Sequence, residues 1–386
     1  MQKHYFVSPS NLHRCLVCTP AAMLETHFPD SQSPSAAEGT LAHKLAEAKL
    51  QNFLRCDEPL LKEQRKKLMK SEFWSQSMDD YVEEYVSEVI QRFLAIMEKD
   101  PATVLLLEQK IVLDDFIPGG FGYGDAIIVG NHTVEVIDLK YGRNVAVSAE
   151  GNPQLRAYAM GAYGELSCVY DIDTVVMTIV QPRNGGVSSE TVPVKNLLAW
   201  ADEMRPRIEL ALQGKGEFVA GSHCKFCRAA VRCKALADYE LELAKKQFED
   251  ASVLSDEDIA DILGKADGLV SWINSITDYA LQEAVDKGRK WPGWKLVAGR
   301  SNRKLSDEGE ARKLLKEAGY TEDQFLKPQE IKGFTELEKL VGKKRLDTLF
   351  KDVIIKPPGK PKLAPESDKR PEWNAAKADF EDLDGV

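Results

Sequence analysis

The sequence lacks any apolar run approaching the ~18 residues that a membrane span needs, so no transmembrane segment is expected. Its opening, MQKHYFVSPSNLHRC, has no basic stretch followed by an apolar one, and secretion is not expected either. Positive charge is not in excess: 51 Lys and Arg stand against 61 Asp and Glu, a net charge of −10. That balance lowers the expectation of nucleic-acid binding without excluding it, because binding depends on where the cations cluster. Internal repeats and a GxxxxGK[ST] phosphate loop are absent. What is there is an ordinary globular composition, 43% hydrophobic and 29% charged over 386 residues. The length suits two or three domains, and a cytoplasmic location is expected. In that reducing setting the seven cysteines are not expected to form disulfides.

Residues 1–40 read as irregular and rich in Ser and Pro. A helix is expected to start at GTLAHKLAEAKL (39–50), and a long amphipathic one over 77–99, with Tyr81, Tyr85, Val89, Phe93 and Met97 on one stripe. The period then changes. TVLLLEQKIVL (103–113), FGYGDAIIVG (121–130) and HTVEVIDLKY (132–141) are rich in β-branched and apolar residues and read as strands. Asn152-Pro153 offers a helix cap followed by proline at the first helical position. A strand over 174–181, a helix over 194–213 and a wholly helical stretch over 234–290 complete the pattern, with a further strand possible at WKLVAG. The organisation expected is an α/β domain over 1–235, a mostly helical one over 236–356 and a disordered tail over 357–386.

The hairpin around residue 130 carries the acidic residues. A two-residue turn at Gly130-Asn131 would set Asp125 against Val136, with Val136, Asp138 and Lys140 on the face of Asp125. Asp138 is then the diagonal neighbour of Asp125, about 7–8 Å away between backbones. Two carboxylates at that spacing can reach inward and share a hard divalent cation, with Lys140 beside a bound water or phosphate. The plainer alternative is an edge hairpin with solvated charges. Against it stands Asp125 itself, in a strand where Asp is disfavoured.

GYGDAII followed by VIDLK resembles the core of the PD-(D/E)XK nucleases, in which Asp and then Asp/Glu-x-Lys form the metal site. GTLAH (39–43) resembles the GTxxH motif of the RecB-like branch, NPQLRAYAMGA (152–162) its Gln-x-x-x-Tyr motif, and SPSNLHRCLVCTP (8–20) its S-x-S-x-L…Cys-Pro opening. The four lie in the family order across residues 8–162. The resemblance implies a restriction-endonuclease-like α/β core, a mixed central sheet flanked by helices, working as a Mg²⁺- or Mn²⁺-dependent deoxyribonuclease, an exonuclease rather than an endonuclease. It implies that Asp125, Asp138 and His43 ligate the metal together with the Leu139 carbonyl, and that Lys140 orients or deprotonates the attacking water. Gln154 and Tyr158 would contact DNA near the scissile phosphate, and Glu108 matches an extra acid of λ-exonuclease-like members. Any helicase activity would have to come from a partner.

Cys224, Cys227 and Cys233 fall within ten residues, a spacing that suggests a metal site lacking one ligand. AddB-type and CRISPR-associated nucleases of the same family close a 4Fe–4S cluster with an amino-terminal cysteine. By that resemblance Cys18 is the fourth ligand, with Cys15 in reserve. Zn²⁺ on the same thiolates is the alternative, and Cys56 and Cys168 are left as ordinary side chains.

Farther on, Lys295, Arg300, Arg303 and Lys304 surround Trp294, with Trp291 just before: a pattern suited to a nucleic-acid backbone, or simply a solvated basic strand. The whole chain resembles a phage protein family associated with recombination or replication. DNA, and a single-strand annealing or binding protein, are the expected partners. The terminal DFEDLDGV, with Phe380 and Leu383 as its large apolar residues, reads as a docking tip or a solvated terminus. Two other readings are a catalytically inactive DNA-binding assembly factor on a nuclease fold and a zinc-stapled interaction protein.

Overall fold

A computed structural model describes residues 6–29, 34–245 apart from positions 131, 144 and 185, 256–297 and 333–351, with isolated positions between 309 and 331. Five strands form one mixed sheet in the order β1 (Val104–Val112), β2 (Phe121–Gly130), β3 (His132–Leu139), β4 (Ile172–Gln181) and β5 (Gly186–Pro193). All neighbours are antiparallel except β3 and β4, which run parallel. A parallel pair needs a crossover, and α6 (Pro153–Leu166) supplies it.

Helices cover both faces. Helix α1 (Pro9–Val17), α6 and α7 (Val194–Gln213) bury one apolar layer with Leu12, Ile127, Val136, Leu155 and Ile179. Helices α3 (Pro34–Arg55) and α5 (Gln76–Met97) bury the other with Leu45, Tyr85, Val89, Ile128 and Ile137. β2 and β3 are therefore apolar on both sides, which is why IIV and VEVI read as near-continuous hydrophobic runs. The α/β architecture with a mixed, helix-flanked sheet is as expected.

Several local expectations change. The first forty residues are not irregular: Ser8 and Asn11 close a reciprocal capping box with Pro9 at the first turn, and α1 is followed by α2 (Ala21–Glu25). The helix holding GTLAH begins five residues earlier, at Pro34. Helix α4 (Glu58–Leu68), which buries no residue fully, and β5, a polar edge strand, leave almost no hydrophobic trace in the sequence. Helix α8 (Lys234–Lys245) and α9 (Asp256–Lys287) account for the described part of 234–287, and the helix stops before Gly288, at φ 63°, so 288–290 are not helical, against expectation. The WKLVAG segment is not a strand over its described residues, 294–297, and the rest of that basic segment and the tail from 352 lie outside the described residues. Two short helices, α10 (Phe334–Val341) and α11 (Lys343–Leu349), pack against α5.

Gly161 lets α6 approach the sheet. A Cβ there would lie 2.2 Å from the Ile111 Cγ2 and 2.8 Å from the Val112 carbonyl oxygen, whereas one at Gly164 meets nothing within 4 Å. Gly161→Ala is expected to cost about 1–3 kcal/mol by overpacking. Gly164→Ala on the same helix should be neutral or stabilising by about 1 kcal/mol or less. Denaturant titration of the two variants checks this, and equal effects would show that α6 does not press on β1.

Candidate metal centre

The turn of the acidic hairpin falls one residue later than expected. Gly130 pairs with Thr133 and Val129 with Val134, so the turn lies between Gly130 and Thr133, and His132 takes φ 70°. The pairing therefore shifts by two residues. The shared face is preserved, but Asp125 stands directly opposite Asp138 rather than diagonal to it. On its other side Asp125 stands opposite Glu108 of β1, the position between the Leu107–Ala126 and Gln109–Gly124 pairs. Glu108 adopts φ 46°, a left-handed conformation that a non-glycine residue holds only where its surroundings enforce it.

His43, half-buried on α3 beside the buried Ala42, reaches across to this trio. Its Nδ1 lies 3.0 Å from the Asp125 Oδ1, while the other Asp125 oxygen accepts the Leu139 N–H at 2.7 Å. Donor atoms of His43, Glu108 and Asp125 all lie within 4.8 Å of one another. Asp138 turns toward the crossover helix. Its Oδ1 accepts from Gln154 Nε2 at 3.2 Å and its Oδ2 lies 2.8 Å from Lys140 Nζ, which also donates to Gln154 Oε1 at 3.0 Å. At 2.8 Å the Lys140 ammonium donates a charge-assisted hydrogen bond to the buried Asp138 Oδ2. Tyr158, one turn along α6, is buried over Gly122, where a Cβ would meet its ring at 2.5 Å. It supports Gln154 and does not stand open to a phosphate.

The electrostatics follow from this crowding. Burial works against the charged form of His43, yet the Asp125 carboxylate outweighs it and raises the imidazole to about 9. Burial, with Asp125 alongside, raises the Glu108 carboxyl to about 7. Burial also raises Asp138, with Lys140 opposing; burial would lower Lys140, but Asp138 holds it above the ordinary lysine value. Both His43 and Glu108 are raised, so both bind protons more tightly in the folded state. Stability from His43 is fully present below its ordinary 6.5 and is lost as pH rises through about 9. Glu108 costs stability as pH rises from its ordinary 4.5 through about 7. In chelator-treated protein, the melting temperature of the wild type is therefore expected to fall more steeply between pH about 6.5 and about 9 than that of Asp125→Asn. Identical slopes would mean that Asp125 does not hold the His43 proton.

The sequence reading missed two supports of this site. Gln181, buried at the end of β4, accepts from the Val147 N–H and donates to the carbonyls of Gly142 and Val145, pinning the loop that follows Lys140. Arg183 lies over the Tyr141 ring at 4.3 Å and pairs with Glu38 at 3.1 Å. Only the parallel β3–β4 register, which sets Leu139 against Val180, brings these residues beside Lys140.

The cysteine segment folds as two short 3₁₀ turns, Ser222–Phe226 and Ala230–Arg232, against α1. Three independent contacts hold the two regions together. Thr19 Oγ1 donates to the Lys215 carbonyl at 2.6 Å, Arg207 donates to the Leu16 carbonyl, and Glu25, only 1% exposed, accepts from the Arg228 N–H at 2.7 Å. Glu25 also pairs with Arg14 at 2.7 Å. Cys18 lies in the electrostatic reach of Cys233 and Cys224, and its thiol is raised chiefly by burial. Cys15 is fully buried, donates to Asn11 Oδ1 at 3.3 Å and is raised by burial to about 12. It is a core thiol. Cys56 and Cys168 are exposed.

The fold and site define a mixed-sheet α/β protein with a half-buried histidine–carboxylate cluster. A family model described as "Protein of unknown function (DUF2800)" matches residues 4–371, and the chain belongs to that family. A solved structure titled "Crystal structure of SSO0001" is similar at 14% identity over 58% of this chain and 96% of its own, with a TM-score of 0.21, a likeness too slight to carry an argument. Among the described residues no helix is long and apolar enough to cross a membrane.

Proposed function

We propose that the protein is a divalent-cation-dependent deoxyribonuclease of the PD-(D/E)XK type, an exonuclease acting on linear DNA. The observation that carries this reading is the convergence of His43, Glu108 and Asp125 within 4.8 Å, with Asp138 and Lys140 on the adjoining strand. The donor set fits a hard cation: carboxylate oxygens with one imidazole, and the buried Asp138 carboxylate on the adjoining strand. His43, Glu108 and Asp125 would hold Mg²⁺ or Mn²⁺, with Asp138 and the Leu139 carbonyl adjacent. When bound, the cation supplies an acidified water and a counter-charge for the phosphate. Asp138 keeps Lys140 protonated and Gln154 fixes its ammonium, so Lys140 is placed to orient water or neutralise a phosphate oxygen. The net charge of −10 makes such neutralisation a local matter.

The cysteines are read as a cluster site because of the nuclease resemblance and because Cys18 lies in the electrostatic reach of Cys224 and Cys233. Cys18, Cys224, Cys227 and Cys233 would hold a 4Fe–4S group of structural role; zinc is the alternative. A single-strand annealing or binding protein is the partner this reading favours.

Incubating purified protein with end-labelled linear DNA and Mg²⁺ or Mn²⁺ tests the proposal. Cation-dependent release of nucleotides from ends supports it. Tight DNA binding without cleavage under either cation would favour the assembly factor, and neither binding nor cleavage the interaction protein.

A further inference from the structure

Tyr85 stands out among the buried polar groups near the acidic cluster. It lies midway along α5 and is 1% exposed, packed in the layer that contains Ala42, Ala126 and Leu139, the chain neighbours of His43, Asp125 and Asp138. Its ring is ordinary core. Its hydroxyl is not: it is fully buried and has no hydrogen-bond partner among the described residues. A buried hydroxyl left unpaired carries the full cost of its lost hydration. Phenylalanine would fill nearly the same volume without that cost.

The charges that act on this hydroxyl are acidic. Besides burial, those of Asp125, Asp138 and Glu108 raise the phenol well above its ordinary value, so it remains a neutral donor. The carboxylate oxygens of Asp125 and Asp138 accept from His43, the Leu139 N–H, Gln154 and Lys140, and each oxygen keeps a further lone pair. A buried donor without an acceptor, in the field of carboxylates with acceptor capacity left, is complementary to them.

We propose that Tyr85 is a positioning residue of the metal centre, its hydroxyl donating to the carboxylate oxygens of Asp125 or Asp138, directly or through one water, once a divalent cation draws them together. This rests on the metal-binding reading given above. Partners that hold first ligands in place typically change metal affinity by about 10–100-fold when removed. The same hydroxyl contributes nothing to the cation-free fold, where it is unpaired.

Tyr85→Phe separates these two roles. With Mn²⁺ as the probe, isothermal titration or electron paramagnetic resonance of the full chain is expected to show affinity about tenfold or more weaker than wild type. Thermal unfolding in chelator is expected to show a melting temperature unchanged or raised. A merely structural hydroxyl would give the reverse, a lower melting temperature and unchanged Mn²⁺ affinity, and that result overturns the inference. So does Mn²⁺ affinity within twofold of wild type at any stability. If wild-type protein and Tyr85→Phe both fail to bind Mn²⁺ while Asp125→Asn also changes nothing, the metal reading falls and this inference with it. Tyr85→Leu, which removes ring and hydroxyl together, should lower the melting temperature as well and reports on packing alone.

Discussion

Asp125→Asn is expected to reduce cleavage of linear DNA by about 10³-fold or more, while leaving the fold and DNA binding in place. The substitution keeps size and one carbonyl oxygen, so the Leu139 N–H retains an acceptor. It removes the negative charge that holds the His43 proton and would hold the cation. Cation chemistry is worth several kcal/mol of transition-state stabilisation, and about 4 kcal/mol corresponds to the stated factor. Asp138→Asn and Lys140→Ala should behave alike, by a different route, since each breaks the Asp138–Lys140–Gln154 set. Circular dichroism and a filter-binding assay beside the cleavage assay separate lost chemistry from lost structure. Full cleavage by Asp125→Asn in Mg²⁺ and Mn²⁺ would remove the hairpin from the reaction.

Protein purified without oxygen is expected to be brown, with about four irons per chain. Cys227→Ser should bleach it and destabilise the segment around α1. The contrast between Cys18→Ser and Cys15→Ser is the sharper measurement. Cys18 is within reach of Cys224 and Cys233; Cys15 is within reach of Cys18 and Cys227 but donates its thiol to Asn11 in a dry core. Only the former should lose iron; the latter should lower stability and keep its colour. Colourless protein with one zinc per chain would decide for zinc, and metal loss from Cys15→Ser alone would exchange the two roles.

The strands of the sheet were legible because β2 and β3 are buried on both faces and carry almost unbroken apolar runs. The α5 stripe was equally plain, and Asn152-Pro153 marks the start of α6 to the residue. The edges were not. β5 alternates small polar residues against solvent, and α4 buries none of its residues fully, so neither leaves a hydrophobic period to read. Within the site, the shared face of Asp125, Asp138 and Lys140 came from alternation, and His43 and Glu108 only from the nuclease resemblance. The direct opposition of Asp125 and Asp138 came from neither, because it depends on a turn between Gly130 and Thr133, and glycine pointed to one a residue earlier. Gln181 and Arg183 were invisible for another reason. Each enters through packing between elements far apart in the chain, which no local pattern records.

The stitching of α1 onto residues 207–228 has a consequence for how the protein is made. Leu12, Cys15 and Leu16 leave the ribosome early, yet the surfaces that bury them, α6 and α7, come much later. The Glu25–Arg228 bond alone spans 203 residues. At roughly 5–20 residues per second of synthesis, α1 waits on the order of 10–40 seconds for its partners. During that wait its apolar stripe is available to chaperones, and cysteine ligands on the nascent chain are incomplete. An inorganic group on the cysteines, as proposed above, could be installed only after the segment around Cys233 has emerged, which would make cofactor delivery a late event in the life of each chain.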